Sequence, residues 1–345
     1  MAEVRIGRSL SASPANLVRL GCTLMMAGKG AEAVAIVERT LEDHPNDPLW
    51  LEAARTVLSY GVPGYHRSML ADTARNEAYA SAIRESVRPG DVVLDIGAGS
   101  GLLAMMAAEA GAAKVVACES NSALASTARA IVESNGLSDR IEVVASKSTA
   151  LERSGALEGG ADLIVSEIFS HTLIDEGAIE SLNHGVKKLA RPGARIVPAS
   201  ASVEVALVDY DGDIFPPIGR VSGFDLSLFD RHVPGSITVP TKSRHLKPRS
   251  PAATLFGFDF TLGEAPAEGR QSLVLKSGGG RVTGVVQWII LQLTDRVAFE
   301  NAPGRGLWSH WPCVVYPFDS PLETTAGDEV RIEAWHDSLR LRIWR

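Results

Sequence analysis

The chain has 345 residues, of which 45% are hydrophobic and 22% are charged, a composition that excludes a disordered, fibrous or disulfide-stabilised miniature protein. Its formal net charge of −7 provides no overall basic field, so we predict neither nucleic acid nor a membrane surface as a partner. The 3 cysteines are far apart and lack metal-binding spacing, which favours reduced thiols, no metal and a cytoplasmic location. No apolar run predicts a signal peptide or a membrane span.

Residues 14–60 carry apolar side chains at helical spacing in three stretches, which predicts three short helices. Four positions match the tetratricopeptide repeat of roughly 34 residues, namely Leu20, Gly21, Ala33 and Pro45. The stretch therefore resembles one such repeat followed by a helix. Because a single repeat cannot bury both of its faces, we expect residues 1–60 to form a helical appendage packed on the main domain. A peptide-binding module is the alternative.

Strands and helices alternate over residues 67–198, which predicts a parallel sheet covered by helices, an α/β fold. The first element of this series is a helix expected over residues 69–87. After residue 198 the pattern changes to alternating strands separated by turns at LKSGGGR and ENAPGRG, which predicts an antiparallel β-barrel or sandwich. We therefore expect three domains, over residues 1–60, 61–198 and 199–345. A segment rich in Gly, Pro and Phe, at 209–229, is expected to protrude.

A glycine-rich turn is the strongest motif of the predicted parallel sheet. The run VVLDIGAGSG places Gly97, Gly99 and Gly101 between an apolar strand and a helix, where small residues let the backbone approach a ligand closely. Glu119 ends the next strand, 18 residues beyond Gly101, where a carboxylate can accept both hydroxyls of a ribose. The motif predicts a nucleoside-cofactor site, and a purely structural turn is the alternative.

The form of this turn distinguishes between cofactors. Leu102 stands where a dinucleotide fingerprint has its third glycine, which disfavours a dinucleotide. With Asp95 entering the turn, the pattern D-x-G-x-G-x-G resembles the first motif of class I methyltransferases, which bind S-adenosylmethionine. The resemblance implies a Rossmann-like sheet and S-adenosylmethionine as the cofactor, contacted by Asp95 and the three glycines.

Two glutamates indicate the charge of the substrate. Glu167 and Glu176 stand nine residues apart after another strand of the predicted sheet, and ligands of such sheets bind at the carboxyl ends of the strands. Two carboxylates suit a cation. A guanidinium is planar and always charged, so a pair of carboxylates can hold it through parallel charge-assisted hydrogen bonds.

The spacing of these glutamates is similar to that of the protein arginine methyltransferase family. The segment HRSMLADTARNEAY resembles the family's helix ahead of the glycine turn, and SHW at residues 309–311 resembles its THW loop. The resemblance implies that Arg75 binds the carboxylate of the cofactor and that Met69 shapes the pocket. It also implies that His310 pairs with Asp72 and positions or deprotonates the substrate arginine.

This resemblance predicts transfer of a methyl group to a guanidinium nitrogen of an arginine in a protein or peptide. It implies a homodimer, formed through the segment at 209–229, and Ser148 is the predicted adenine contact. Ala178 replaces a methionine of the asymmetrically dimethylating members, so the number and arrangement of the methyl groups stay open. Two alternatives also stay open: a methyltransferase acting on a small cation or another acceptor, and a catalytically inactive scaffold.

Overall fold

The computed structural model of the chain describes residues 13–212, 218–304 and 308–345. These residues form two compact units. The first unit contains the described residues up to Ile168 together with Ser181–Pro198 and Thr261–Gly263, and the second contains the remainder. The predicted division into three domains stays a prediction.

A five-stranded parallel sheet organises the first unit, with the strand order β3-β2-β1-β4-β5. The central strands are almost wholly buried, as expected for a parallel sheet covered on both faces. The strands are β1 Val92–Ile96, β2 Lys114–Glu119, β3 Ile141–Ala145, β4 Ala161–Ser166 and β5 Ala190–Val197. The predicted Rossmann-like sheet is thus confirmed.

Eight α-helices are present in the described part of the chain, and none of these has the length and apolar character needed to cross a membrane. They are α1 Pro14–Met26, α2 Gly30–Asp43, α3 Pro48–Tyr60, α4 Tyr65–Ala71, α5 Thr73–Ser86, α6 Leu102–Glu109, α7 Ser122–Ser134 and α8 Ala178–His184. A π-helical turn, Gly185–Leu189, follows α8.

Residues 14–60 form three helices, α1 to α3, as predicted, and these helices share a hydrophobic core. Its buried side chains are Leu17, Ala33, Val37, Trp50, Ala53, Ala54 and Val57. Ser13 caps α1 and Asp47 caps α3, each accepting a hydrogen bond from a backbone N–H of the first turn. The assignment of these helices to a tetratricopeptide repeat stays a prediction.

The single helix predicted over residues 69–87 is wrong, because the chain breaks at Asp72 into α4 and α5. Asp72 has a non-helical backbone with ψ 88°, and its Oδ1 accepts a hydrogen bond of 3.1 Å from the backbone N–H of Arg75. The side chain satisfies one of the N–H groups that the start of α5 leaves unpaired. The helix that carries Arg75 therefore begins at the position this cap sets.

An eight-stranded antiparallel sheet organises the second unit. Its path is β10-β6-β12-β14-β15, and β11, β13 and β9 pair with β6, β12 and β14 respectively. The strands are β6 Ser200–Tyr210, β9 Ile237–Val239, β10 Leu246–Pro248, β11 Ala253–Asp259, β12 Gly269–Gln292, β13 Ala298–Glu300, β14 Cys313–His336 and β15 Leu341–Trp344. A buried cluster that includes Tyr210 and Trp288 lies on one face of this sheet.

The turn predicted at LKSGGGR is wrong, because strand β12 runs through it without interruption. The pairing register between β12 and β14 shifts between Lys276 and Gly278, which marks a β-bulge. Gly279 and Gly280 have φ angles of +94° and +91°, so they adopt at low cost a backbone conformation that other residues avoid. These glycines locally indicate a turn. In the structure they accommodate a bulge within the long antiparallel pair of β12 and β14.

The predicted protruding segment lies only partly within the described residues, because 213–217 fall outside them. The described part contains the short hairpin of β7 Arg220–Val221 and β8 Phe224–Asp225, followed by a 3₁₀ helix over Ser227–His232. Its apolar side chains are strongly exposed: Phe224 is 72% exposed, Leu228 67% and Phe229 62%. An apolar surface of this kind is typical of an interaction site.

His336 on β14 predicts a pH dependence of stability. The ring is buried beside Phe256 and Phe258, and its Nδ1 atom has no hydrogen-bond partner among the described residues. Burial lowers the pKa of His336, while a hydrogen bond with the backbone of Asp337 and the negative charge of Asp337 act in the opposite direction. The unfolded chain therefore binds more protons than the folded chain below about pH 6.5, and this contribution to stability is lost as the pH falls.

We expect the free energy of unfolding, measured by urea titration, to fall from pH 7 to pH 5 less steeply in His336→Phe than in the unmodified chain. His232→Gln is the matched control, since His232 is exposed. Equal pH slopes for His336→Phe and the unmodified chain would contradict this role of His336.

Candidate active site

The glycine turn follows β1 as predicted. Gly97, Gly99 and Gly101 have φ angles of +76°, +54° and +83°, in the left-handed region that favours glycine. The backbone N–H groups of Gly97 and Ala98 both donate to the carbonyl of Cys118, at 2.9 Å. A Cβ atom on Gly97 would lie only 2.0 Å from Cγ2 of Ile168. The turn is therefore held against β2 and packed too closely for a side chain.

Glu119 stands buried at the end of β2, facing this turn. Its Oε2 accepts from the N–H of Gly99 at 2.9 Å, and its Oε1 accepts from the N–H of Asn121 at 2.7 Å. A carboxylate offers about four acceptor positions, so both oxygens can still accept a ligand hydroxyl. The carboxylate is thus oriented by the protein backbone and retains the capacity to bind a ribose.

Asp95 is buried within β1, with 1% of its surface exposed. Burial raises the pKa of Asp95 to about 7, an effect that the backbone amide of Ala104 opposes and the charge of Glu119 reinforces. This side chain lies in the interior of the first unit. Its predicted contact with the cofactor stays a prediction.

Arg75 and Glu167 form a buried ion pair that sequence reasoning did not anticipate. Nη2 of Arg75 donates to Oε2 of Glu167, both side chains are 3% exposed, and Nη1 donates to Asn76 at 2.8 Å. The Nε atom of Arg75 is buried without a partner among the described residues. Arg75, predicted to hold the cofactor, is therefore paired with a glutamate predicted to hold the substrate, and it keeps one free donor.

Tyr79 supports this pair and was missed by the sequence analysis. The Cζ atom of Arg75 lies 5.1 Å from the centre of the Tyr79 ring, and the Tyr79 hydroxyl donates to the carbonyl of Ser166 at 3.0 Å. Burial raises the pKa of Tyr79 well above its usual range, and Glu167 adds to this effect. The only local signal was its position, one helical turn after Arg75 on the same face of α5.

Three further predicted residues lie in the first unit. Met69 is half-buried on α4, and Ser148 is buried in a short 3₁₀ turn after β3. Asp72 is fully buried, and its side chain caps α5. His66, which was not predicted, lies beside the glycine turn, 4.0 Å from the position of a Cβ on Gly99. Burial lowers the pKa of His66, and the charge of Glu119 acts in the opposite direction.

The second unit holds the remainder of the glutamate loop, residues 169–177. Trp311 and Gln287, both of the second unit, hold the start of this loop: Nε1 of Trp311 donates to the carbonyl of Phe169, and Nε2 of Gln287 donates to that of His171, each at 3.1 Å. Glu176 is exposed, and its φ of +64° lies in the left-handed region. Such backbone strain is held by the surrounding structure and occurs often at functional sites.

The Ser-His-Trp segment is brought to this loop through Trp311. His310 is half-buried, and its ring centre lies 4.4 Å from that of Trp311. Gln287, which is fully buried, was missed because a glutamine within an apolar strand gives no local sign of what it binds. The predicted pairing of His310 with Asp72 stays a prediction.

A parallel sheet with a glycine turn after β1, an acid at the end of β2 and a buried glutamate after β4 defines a class I methyltransferase. A family model described as ribosomal protein L11 methyltransferase matches residues 79–198. An arginine N(omega)-methyltransferase of Streptomyces achromogenes subsp. streptozoticus is 32% identical over 338 residues, which cover 94% of this chain and 91% of that protein. The chain belongs to the arginine N-methyltransferase family.

Two further relatives agree with this assignment. Protein arginine N-methyltransferase 7 of Danio rerio is 31% identical over 80% of this chain, and the chain spans 45% of the length of that relative. Among solved structures, the Trypanosoma brucei PRMT1 enzyme-prozyme heterotetrameric complex with AdoHcy matches with a TM-score of 0.71 at 26% identity. That match covers 80% of this chain and 88% of the other.

Proposed function

We propose that the chain transfers the methyl group of S-adenosylmethionine to a guanidinium nitrogen of an arginine side chain in a protein or peptide. The observation that carries the proposal is the Glu167 carboxylate, buried and held by Arg75, at the end of the strand beside the glycine turn. A buried anion fixed at this position suits a cationic substrate.

The residues present fit the cofactor. S-adenosylmethionine has a ribose, a carboxylate and a positive sulfonium, and the sulfonium makes its methyl carbon electrophilic. Glu119 retains acceptor capacity for the ribose hydroxyls. The Nε atom of Arg75, which is buried and has no partner within the part of the chain that the structure describes, provides a donor for the carboxylate. The three glycines of the turn tolerate its positive φ angles and carry no side chains, so a ligand can approach the backbone closely there.

In the proposed mechanism Glu167 and Glu176 hold the guanidinium and turn one nitrogen toward the methyl group. Orientation of this kind supplies a large part of the rate enhancement, and the carboxylates stabilise the positive charge that remains on the arginine. The attacking nitrogen would form a bond to the methyl carbon while the bond from that carbon to the cofactor sulfur breaks, which releases S-adenosylhomocysteine, and the nitrogen would then lose one proton. We propose that Glu176, or His310 paired with Asp72, accepts that proton.

We further propose that the chain forms a homodimer through the segment at 209–229 and acts in the cytoplasm. The exposed side chains of Phe224 and Phe229 support the homodimer, because exposing so much apolar surface to water in a monomer is unfavourable. The three free cysteines, Cys22, Cys118 and Cys313, support the cytoplasmic location.

The proposed function is tested by incubating the chain with methyl-labelled S-adenosylmethionine and a panel of arginine-rich peptides. The products are hydrolysed, and the methylated amino acids are separated. We expect label in methylarginine. Cofactor binding without any methylarginine would overturn the proposed acceptor.

A second candidate substrate is the free amino acid arginine, which the same reaction would methylate. The relative that matches along nearly all of both chains is named an arginine N(omega)-methyltransferase, with no mention of a protein substrate. Including free arginine in the same panel distinguishes the two candidate substrates. If free arginine is the substrate, label appears in free methylarginine before any peptide is hydrolysed.

A further inference from the structure

We propose that the N-terminal helices α1 to α3 are a structural part of the cofactor pocket, and that Asn121 is the positioning residue connecting them to Glu119. The proposal rests on the cofactor-binding role of Glu119 in the proposed function. It assigns a role to residues 14–60, which the reaction itself does not use.

The backbone N–H, the side-chain Oδ1 and the side-chain Nδ2 of Asn121 form hydrogen bonds with three different parts of the structure. Its backbone N–H donates to Oε1 of Glu119 at 2.7 Å. Its Oδ1 accepts from the N–H groups of Ala123 and Leu124, at 3.0 and 3.3 Å, and so caps α7. Its Nδ2 donates to the carbonyl of Gly61 at 2.7 Å. One residue thus joins the cofactor carboxylate, the start of α7 and the end of α3.

The two residues after Asn121 also contact the N-terminal helices. The Ser122 hydroxyl donates to the carbonyl of Gly28 at 3.0 Å. A Cβ on Gly30 would lie 2.7 Å from both the Cβ and the backbone nitrogen of Ala123, so only glycine permits this approach of α2 to α7. Residues 121–123, at the start of α7, are therefore held by two separate segments of the N-terminal region, 28–30 and Gly61.

These contacts fix the orientation of Glu119. Its Oε1 atom is held by the backbone of Asn121, and that backbone is held from one side by the cap of α7 and from the other by Gly61. Without the bond to Gly61, Asn121 would be anchored on one side only. The face of α2 that packs on α7 is also unavailable to a peptide, which favours the packed appendage over the peptide-binding module.

The test uses Asn121→Ser in the full chain, because serine is a good helix cap but is too short to reach the carbonyl of Gly61. We expect the Kd for S-adenosylhomocysteine, measured by calorimetry, to rise about threefold to tenfold, as for the loss of one hydrogen bond. We expect the KM for S-adenosylmethionine to rise similarly with kcat unchanged, because Glu119 binds the ribose equally in the ground and transition states.

Asn135→Ser is the matched control, since Asn135 is exposed at the other end of α7, where its Nδ2 donates to the carbonyl of Ile131 at 2.8 Å, within the same helix. Its Kd is expected to equal that of the unmodified chain. Gly30→Ala provides a second variant, which separates α2 from α7 and is expected to weaken cofactor binding by a similar factor. Gly159→Ala controls for it, because no described residue has an atom within 4 Å of a Cβ there.

An unchanged Kd in both Asn121→Ser and Gly30→Ala would overturn the proposal. A rise in KM accompanied by an equal loss of kcat would also overturn it, since that result indicates a general structural defect. Failure of the unmodified chain to bind S-adenosylhomocysteine would instead contradict the proposed function from which this inference starts.

Discussion

Glu167→Gln is expected to lower kcat for methyl transfer by about 10²-fold to 10³-fold without weakening the binding of S-adenosylhomocysteine. Glutamine has nearly the shape of glutamate and can still accept the hydrogen bond from Arg75. It carries no charge, so it cannot stabilise the guanidinium as the methyl group is transferred. The loss therefore falls on the chemical step.

The expectation that cofactor binding is not weakened follows from the ion pair between Arg75 and Glu167. In the unmodified chain the charge of Arg75 is partly neutralised by Glu167, 3% of whose side chain is exposed. In the variant that charge is left unpaired, and it attracts the cofactor carboxylate at least as strongly. The unpaired buried charge is also expected to lower the free energy of unfolding by roughly 1–3 kcal/mol, measurable by urea titration.

Glu158→Gln serves as the control, because Glu158 is an exposed glutamate that precedes the same strand, β4. It is expected to leave kcat, Kd and stability unchanged. A kcat near that of the unmodified chain in Glu167→Gln would show that this carboxylate is not at the reacting centre. Weaker cofactor binding in the same variant would show that Glu167, rather than Arg75, dominates the interaction.

Gly97→Ala is expected to lower the free energy of unfolding by about 2–4 kcal/mol and to remove measurable cofactor binding. Two effects combine at this position. The φ of +76° is unfavourable for alanine, and the new Cβ would stand 2.0 Å from Cγ2 of Ile168. Because Cγ2 is attached directly to the Cβ of Ile168, rotation about χ2 cannot remove the clash, so either Ile168 leaves its rotamer about χ1 or the turn shifts.

A matched control separates these two effects. Gly111 also has a positive φ, +110°, but no atom of residues 13–212, 218–304 or 308–345 lies within 4 Å of a Cβ there. Gly111→Ala therefore reports the backbone cost alone, about 1–2 kcal/mol. In the double variant Gly97→Ala with Ile168→Ala, the clash is removed. We expect its loss of stability to be smaller than the sum of the single losses by about 1 kcal/mol or more. Additive losses would contradict the assignment of the clash to Ile168.

The sequence correctly predicts elements whose signals are local. The helices of residues 14–60, the parallel strands and the turn at Gly97 are each encoded by apolar periodicity, by a cap or by glycine. The glycines of LKSGGGR illustrate the limit of such signals. They permit a turn or a bulge equally, and the pairing of β12 with β14, which extends from Gly269 to Gln287, selects the bulge.

The break at Asp72 shows the same limit in a helix. The residues around it have no proline or glycine, so their periodicity predicts one continuous helix. Aspartate is a good N-cap residue, but it acts as one only where the backbone before the new helix departs from the helical conformation. That choice places Arg75 in the first turn of α5, where it reaches Glu167 92 residues further along the chain.

The sequence by itself therefore determined the class of protein and the place of the glycine turn, and it predicts Glu119, Glu167 and Glu176 as ligand-binding residues, because each is read from neighbouring residues and from their spacing along strands. Only the tertiary structure decided that Arg75 pairs with Glu167, that Trp311 and Gln287 hold the glutamate loop, and that Asn121 links Glu119 to Gly61. These contacts join residues far apart in the chain. Whether such groups meet depends on how the packed elements align, which no local pattern encodes.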